Sequence, residues 1–403
     1  MGASYVYSHL FQQEAIMSFE VKGTFFVLGA ALLAAGSAMA EDLAPYPVKG
    51  QVVQVLAAFD NPEGAIFSAD GRYVLISNAA ELGMPDKGFH WVEKAGYVSK
   101  LRVGRDGKLQ MEEEKLISGL TAPLGMAVTP VATGSFPKGS IFLCAGSAPM
   151  AAPDGTPIKD ASRLDPKIVI FNLDGKVLGE IRMGPGSPFE KKGGALATLP
   201  NAADFDKEGN LYIAETGIGG DSFDPPIKTN GGVWMVPRES IDALAQGKDA
   251  ELYFIAMPNA GPDGLEVAPD GSIHTNTVGK AAGMNDPAQG GMYRLTGQDF
   301  KTGRLPQPLA QGLGALDGLD FAGNVRLDTE IANTNSIVIT PPGRKPMMLT
   351  FSGSEQFTGP ADIAIQRQGD GYLLVIPELS ATSSNDGKNQ VTVVRLPRDL
   401  PSS

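Results

Sequence analysis

The chain keeps returning to one short phrase, and that repeat limits its fold more than any other feature. One copy opens at Pro62-Glu63-Gly64 and reaches the turn Asp70-Gly71. A second opens at Pro200-Asn201 and reaches Gly209, and a third opens at Pro262-Asp263-Gly264 and reaches Asp270-Gly271. In each, a polar residue follows proline and a glycine comes eight positions later. Looser copies begin at Pro123-Leu124-Gly125, Leu316-Asp317-Gly318 and Pro360-Ala361-Asp362. Self-similarity at this spacing is the mark of a repeat architecture. Each unit reads as a strand, a tight Asp-Gly or Glu-Gly turn, a strand, a longer loop and two further strands. After Asn78, for instance, come the strand Gly96–Val103, the turn at Asp106-Gly107 and a strand from Leu109. Six four-stranded antiparallel units predict an all-β, six-bladed β-propeller. Helical periodicity is confined to short runs such as Glu239–Gln246, which disfavours a helical solenoid. Ring closure is expected to pair Val52–Ala57 with Gln390–Leu396, so that no strand edge stays open.

Composition agrees with this and excludes several function classes. The 403 residues include 50 Gly and 30 Pro, the raw material of many turns. Cys144 stands alone, so no disulfide framework exists, and its apolar strand Ser140–Cys144 marks it as packing rather than as a nucleophile. A formal charge of -12 argues against nucleic acid or an anionic membrane as partner and favours a cation or a neutral small molecule. The chain has no Gly-x-Ser-x-Gly elbow, no phosphate-binding loop and no zinc-type histidine pair.

Residues 17–40 read as an export signal: Lys22, an apolar run from Thr24 to Gly36, and the small-x-small site Ala38-Met39-Ala40. Cleavage is expected before Glu41, with residues 1–16 an upstream start extension. The mature chain, 41–403, is then a single propeller domain, periplasmic or secreted, with no further run long enough to span a bilayer.

In an antiparallel blade, the entry to the innermost strand and the loop after the second strand share one face. The repeat therefore gathers Glu63, Leu124, Asn201, Asp263, Asp317 and Asp362 around the mouth of the central channel. The loops Ala79–Ala95, Ser147–Pro166, Thr216–Gly231 and Thr277–Gly290 cover the same face, a usual place for function. Five of those six positions are oxygen donors. One carboxylate at a strand entry is usually a turn cap. Several around one axis repel unless a cation or proton intervenes, and hard oxygen ligands suit Ca²⁺ or another hard divalent ion.

With these motifs the chain resembles the gluconolactonase/regucalcin (senescence marker protein) family of six-bladed, calcium-dependent lactonases, and more distantly the paraoxonases and strictosidine-synthase-like propellers. The resemblance runs from about Gln51 to Leu396. Pro62-Glu63-Gly64 is similar to the family's first metal-ligand motif, Pro200-Asn201 to its asparagine motif, and Pro262-Asp263-Gly264-Leu265 with Gly271 to its aspartate motif. The family shows Glu, Asn, Asn and Asp in blade order. This chain shows Glu, Leu, Asn, Asp, Asp and Asp, so either Asp263 or Asp317 takes the aspartate role.

The resemblance implies an enzyme: Ca²⁺ held by Glu63, Asn201, Asp263 and Asp317 would polarise the carbonyl of a lactone or related ester. Asp263 or Asp317 would be the catalytic base that activates water. His90, in a loop on that face, is the rival base, whereas His274 lies inside a second strand and reads as a packed residue. His90, Glu215, Asn276 and Asp362 are the expected substrate contacts. The alternative is a non-catalytic propeller that binds a small ligand or protein partner through the same face, because fold alone does not decide function.

Overall fold

The computed structural model describes residues 43–84, 88–258, 260–279, 288–305, 307–352, 357–379 and 389–401. The export signal expected within residues 1–40 and its cleavage site lie outside these. Strands dominate, and they sort into six four-stranded antiparallel sets, the predicted propeller. Blade 1 runs Pro62–Phe67, Tyr73–Asn78, Gly96–Val103 and Leu109–Leu120 from the axis outward. Blade 2 comprises Met126–Val128, Ile141–Ala145, Lys167–Phe171 and Val177–Arg182. Blade 3 has Pro200–Phe205, Leu211–Glu215, Gly232–Val236 and Tyr253–Ala256. Pro262–Val267, Ile273–Thr277, Gly291–Leu295 and Ala310–Gln311 form blade 4. Leu316–Ala322, Val325–Glu330, Ser336–Thr340 and Met347–Ser352 form blade 5. Blade 6 takes Ala364–Gln368, Gly371–Glu378 and Gln390–Pro397, and borrows its outer strand, Pro45–Leu56, from the other end of the chain.

That borrowed strand closes the ring. Val52 lies opposite Val394 and Leu56 opposite Val391, in the expected antiparallel pairing. The strand also extends further back than the sequence suggested. Its first half pairs in parallel with the outer strand of blade 5, Gly50 against Phe351, so blades 5 and 6 merge into one eight-stranded sheet. Each half of the closing strand is thereby paired along one edge, which shortens the exposed ladder that an outermost strand otherwise presents.

The core lies between neighbouring blades. Between blades 2 and 3, Phe142, Ile168, Ile213 and Trp234 pack in one cluster, and Phe142 meets Phe136 and Phe205 edge-on at 5.8 and 4.8 Å. The middle strands are apolar on both faces because each face meets another blade; Ile141–Ala145 is buried throughout. Each such large side chain contributes about 1.5–3 kcal/mol on burial. The long connections over the functional face are partly ordered as sheet. Glu81–Met84 and Gly88–Val92 form a hairpin inside the first loop, and Met150–Ala151 of the second joins it in parallel, Met150 opposite Trp91.

Candidate functional site

The Pro-X-Gly phrase has a common geometry. In blade 1, Pro62 pairs with Asn78 and Ala65 with Ile76, so three steps on the inner strand answer two on its neighbour. The same extra residue occurs between Pro200 and Ala203, between Pro262 and Leu265, and between Leu316 and Leu319. Each is a β-bulge, which bends the strand and re-aims side chains. The glycine of the phrase sits at this bend because the next blade leaves no room for a Cβ. A Cβ on Gly64 would lie 2.5 Å from the Leu124 carbonyl oxygen, and one on Gly264 would lie 2.3 Å from that of Asp317. One on Gly125 would lie 2.7 Å from the Asn201 carbonyl oxygen, to which the Gly125 N–H donates at 2.8 Å. At Gly64, Gly125 and Gly264 the glycine therefore spaces one mouth residue against the next round the ring.

A cavity of about 210 Å³ occupies the axis. Of the residues expected at the mouth, Glu63, Asn201, Asp317 and Asp362 reach its wall. Asp263 is buried beside the wall but not on it, 4 % exposed, and its Oδ1 has no hydrogen-bond partner among the described residues. Burial, reinforced by the Asp362 carboxylate, pushes the Asp263 carboxyl well above the usual range. Burial also lifts Asp362 to about 6, against the opposing N–H groups of Ala65 and Ile363; the Ala65 N–H donates to its Oδ2 at 2.9 Å. Hard oxygen donors beside an unpartnered buried carboxylate oxygen fit a hard cation chemically. Among the described residues, however, no three Asp, Glu, His or Cys side chains are gathered closely enough to hold one ion by themselves.

Deeper in the channel lies a tier that the sequence reading missed: Asp204, Glu266 and Asp320. Each lies three positions after a mouth residue, Asn201, Asp263 or Asp317. An unbroken strand turns positions i and i+3 to opposite faces. The bulge supplies the odd step, so Asn201 and Asp204, and likewise Asp317 and Asp320, share the channel wall. These lower carboxyls tie blades together. The Val267 N–H donates to Asp204 Oδ2 at 2.8 Å, joining blades 3 and 4, and the Ile365 N–H donates to Asp320 Oδ2, joining blades 5 and 6. Asp204 and Glu266 hydrogen-bond to each other, which needs a proton between them. Burial raises Asp204 to about 6; burial and the carboxylates of Asp204, Asp320 and Asp362 raise Glu266 further. The wall carries six acids and no Lys, Arg or His among its described residues, so the axis is locally acidic.

Three of the residues expected at the substrate are placed elsewhere. His90 is buried in the loop hairpin, away from the cavity wall. Glu215 and Asn276 are wholly buried and engaged by the scaffold. Glu215 Oε1 accepts from the backbone N–H groups of Thr198, Leu199 and Gly217, and Asn276 Oδ1 accepts from that of Gly264. A polar residue ending a second strand looks like a ligand from sequence, yet here it meets backbone donors from its own blade. His274 is the packed strand residue expected, held between Ser272 and Arg326, and Cys144 is buried with its thiol pushed well up by burial and by Glu63 and Glu215.

No family model and no curated protein sequence matches this chain. Solved structures do match its fold. A gluconolactonase from Xanthomonas campestris aligns over 88 % of this chain and 97 % of its own, at 12 % identity and a TM-score of 0.51. A glucose dehydrogenase-type oxidoreductase from a Thermus species aligns over 87 % of this chain and 100 % of its own, at 14 % identity and a TM-score of 0.50. The two have different named activities on one architecture, so what they share with this chain is the fold: a gluconolactonase-like β-propeller.

Proposed function

We propose that this protein is a divalent-metal-dependent hydrolase of lactones or related esters, with Ca²⁺ as the ion. The observation that carries this reading is the buried, unpartnered Asp263 Oδ1 beside an axial cavity walled by carboxyl groups. The fold shared with a gluconolactonase adds to it. Glu63, Asn201, Asp263 and Asp317 would hold the ion, the three carboxylates drawing together around it from positions that are too far apart without it, and Asn201 and water completing the shell. Bound there, Ca²⁺ would polarise the ester carbonyl and offset the charge on the wall.

The rest of the work falls to the chain's own residues. Asp263, beside the wall, would be kept ionised against its burial by the bound cation, and then accepts on Oδ1, the oxygen with no competing donor, the proton of the attacking water. That water oxygen bonds to the carbonyl carbon, the ring C–O bond breaks, and the proton passes from Asp263 to the departing alkoxide. Asp317, on the cavity wall, binds rather than transfers protons. Read as an export signal, residues 17–40 would put this activity in the periplasm or outside the cell.

The test is a calorimetric titration of Ca²⁺ into the chelator-treated protein, followed by turnover across a panel of lactones and aryl esters. Expected are binding that Glu63→Ala abolishes, a kcat loss of roughly 10²-fold or more in Asp263→Asn, the value of a positioned base, and weakened Ca²⁺ binding in Asp317→Asn. Absence of Ca²⁺ binding overturns the metal reading. Binding without turnover on any ester favours a ligand-binding propeller instead.

A further inference from the structure

In five blades a polar side chain near the end of the second strand grips the backbone beside the channel-mouth residue. In blade 1, Asn78 Oδ1 accepts from the Asp60 N–H at 3.1 Å, three residues before Glu63. In blade 3, Glu215 Oε1 takes the Thr198 and Leu199 N–H groups at 2.9 Å each, just before Asn201. In blade 4, Asn276 Oδ1 takes the Gly264 N–H at 2.9 Å, one residue after Asp263. In blade 5, Glu330 Oε1 takes the Ala315 N–H at 3.0 Å, two residues before Asp317, and Thr329 Oγ1 takes the Gly318 N–H at 2.8 Å. In blade 6, Glu378 Oε2 takes the Thr358 N–H at 2.8 Å, four residues before Asp362.

Blade 2 departs from this pattern. Its second strand ends Cys144-Ala145, without a polar side chain, and its mouth residue is Leu124, whose side chain offers no oxygen. The Leu124 N–H donates to the Cys144 carbonyl. A grip needed only to build a blade would be needed in all six. Here it accompanies an oxygen donor at the mouth and is missing where the donor is missing.

We infer that Asn78, Glu215, Asn276, Glu330 and Glu378 are positioning residues that set the mouth donors in register, with Glu330 the strongest, acting on Asp317. Glu330 is wholly buried, and both of its oxygens are engaged. Oε1 accepts from the N–H groups of Ala315, Ala332 and Asn333, and Oε2 from those of Thr334 and Asn335 and from the Thr334 hydroxyl. One carboxylate therefore fastens the loop leaving the second strand to the backbone entering the first. A glutamine cannot replace it, because whichever way its amide turns, the NH₂ faces N–H donors.

As a role in holding the ion this inference rests on the metal reading above, so its experiment carries a second readout that does not. Ca²⁺ titration is compared among the wild type, Glu330→Gln and Val338→Ala, a core truncation between blades 4 and 5. Hydrogen exchange is followed at the same time across the peptides of all six blades. Expected are a Ca²⁺ affinity at least tenfold weaker in Glu330→Gln and near the wild-type value in Val338→Ala, with faster exchange in Glu330→Gln concentrated at Leu313–Leu319. Unchanged Ca²⁺ affinity in folded Glu330→Gln overturns the inference. If the wild type itself binds no Ca²⁺, the metal reading fails separately. Exchange then decides: a rise confined to Leu313–Leu319 upholds Glu330 as the residue that positions Asp317, and a rise spread over all blades refutes it.

Discussion

Acidification should destabilise this protein through His274, and the size of the effect follows from its contacts. Its Nδ1 lies 3.2 Å from Arg326 Nη1, which can only donate, so Nδ1 must be the acceptor. The ring proton of the neutral form therefore sits on Nε2, 3.0 Å from Ser272 Oγ, and that hydroxyl passes its own proton on to Asp270 Oδ1. Arg326 is itself fixed by Asp328, with Nε–Oδ2 at 2.8 Å and Nη2–Oδ1 at 2.6 Å. A second proton on His274 would point from Nδ1 at a buried guanidinium. Burial and the cations of Arg326 and Arg294 accordingly lower its pKa from 6.5 to about 3. The folded state then refuses a proton that the unfolded chain accepts below pH 6.5. Stability is complete above that pH and falls by about 1.4 kcal/mol for each further unit, to a total of about 5 kcal/mol by pH 3. Several buried carboxyls with raised pKa values titrate in the opposite sense, so the measurement must be differential. Urea unfolding of the wild type and of His274→Gln, which stays neutral throughout, at pH 7, 6, 5 and 4 isolates the histidine. Relative to the variant, the wild type should lose about 3 kcal/mol between pH 6.5 and 4. Parallel pH profiles would refute the argument by showing that Arg326 and the imidazole separate, or that water enters, at no cost.

Gly264→Ala should disturb both Asp263 and Asp317, because its Cβ would meet the Asp317 carbonyl oxygen at 2.3 Å with backbone on both sides. A cost of about 1–3 kcal/mol is expected from such overpacking, with weakened Ca²⁺ binding by calorimetry. Gly297→Ala, where nothing lies within 4 Å, should leave both unchanged. Glu215, raised from 4.5 to about 7 by burial, stabilises the fold while protonated, and that contribution is lost as pH rises from 4.5 through 7. Replacing it with glutamine keeps one oxygen for its three N–H donors and should flatten the melting profile over that window, by about 3 kcal/mol in all. Glu266→Gln substitutes an amide N–H for the carboxyl proton that Asp204 meets, and the infrared band of protonated carboxyls should weaken relative to the wild type.

The mouth of the channel was legible because its positions carry a local signature. Proline enters the strand, a bulge follows, and only glycine fits against the neighbouring carbonyl, so Glu63 and Asp263 announce themselves in a linear text, while Asn201 keeps only the proline and Asp317 only the glycine. Asp204, Glu266 and Asp320 have no such signature. Their place on the wall depends on the odd step of the bulge, and alternation read from sequence sends them to the other face. Glu215 and Asn276 read from sequence as substrate contacts for a related reason. A strand end near the mouth can be counted along the chain, but the backbone N–H groups that claim its side chain belong to residues 12 to 17 positions away.

Blade 2 makes the distinction physical. Leu124 breaks the oxygen ring, and the strand beside it ends in Cys144-Ala145, so the donor and the side chain that would steady it are missing together. A buried carboxylate is costly to keep charged, and stays so only where donors or cations compensate it. Where the mouth holds an oxygen, a neighbouring polar side chain fixes the backbone one to four residues away from it. Where the mouth is apolar, in blade 2, the second strand ends without such a side chain. The five polar grips and the five mouth oxygens are thus one design, in which the scaffold's hydrogen bonds are allotted according to which blades must present a donor to the axis.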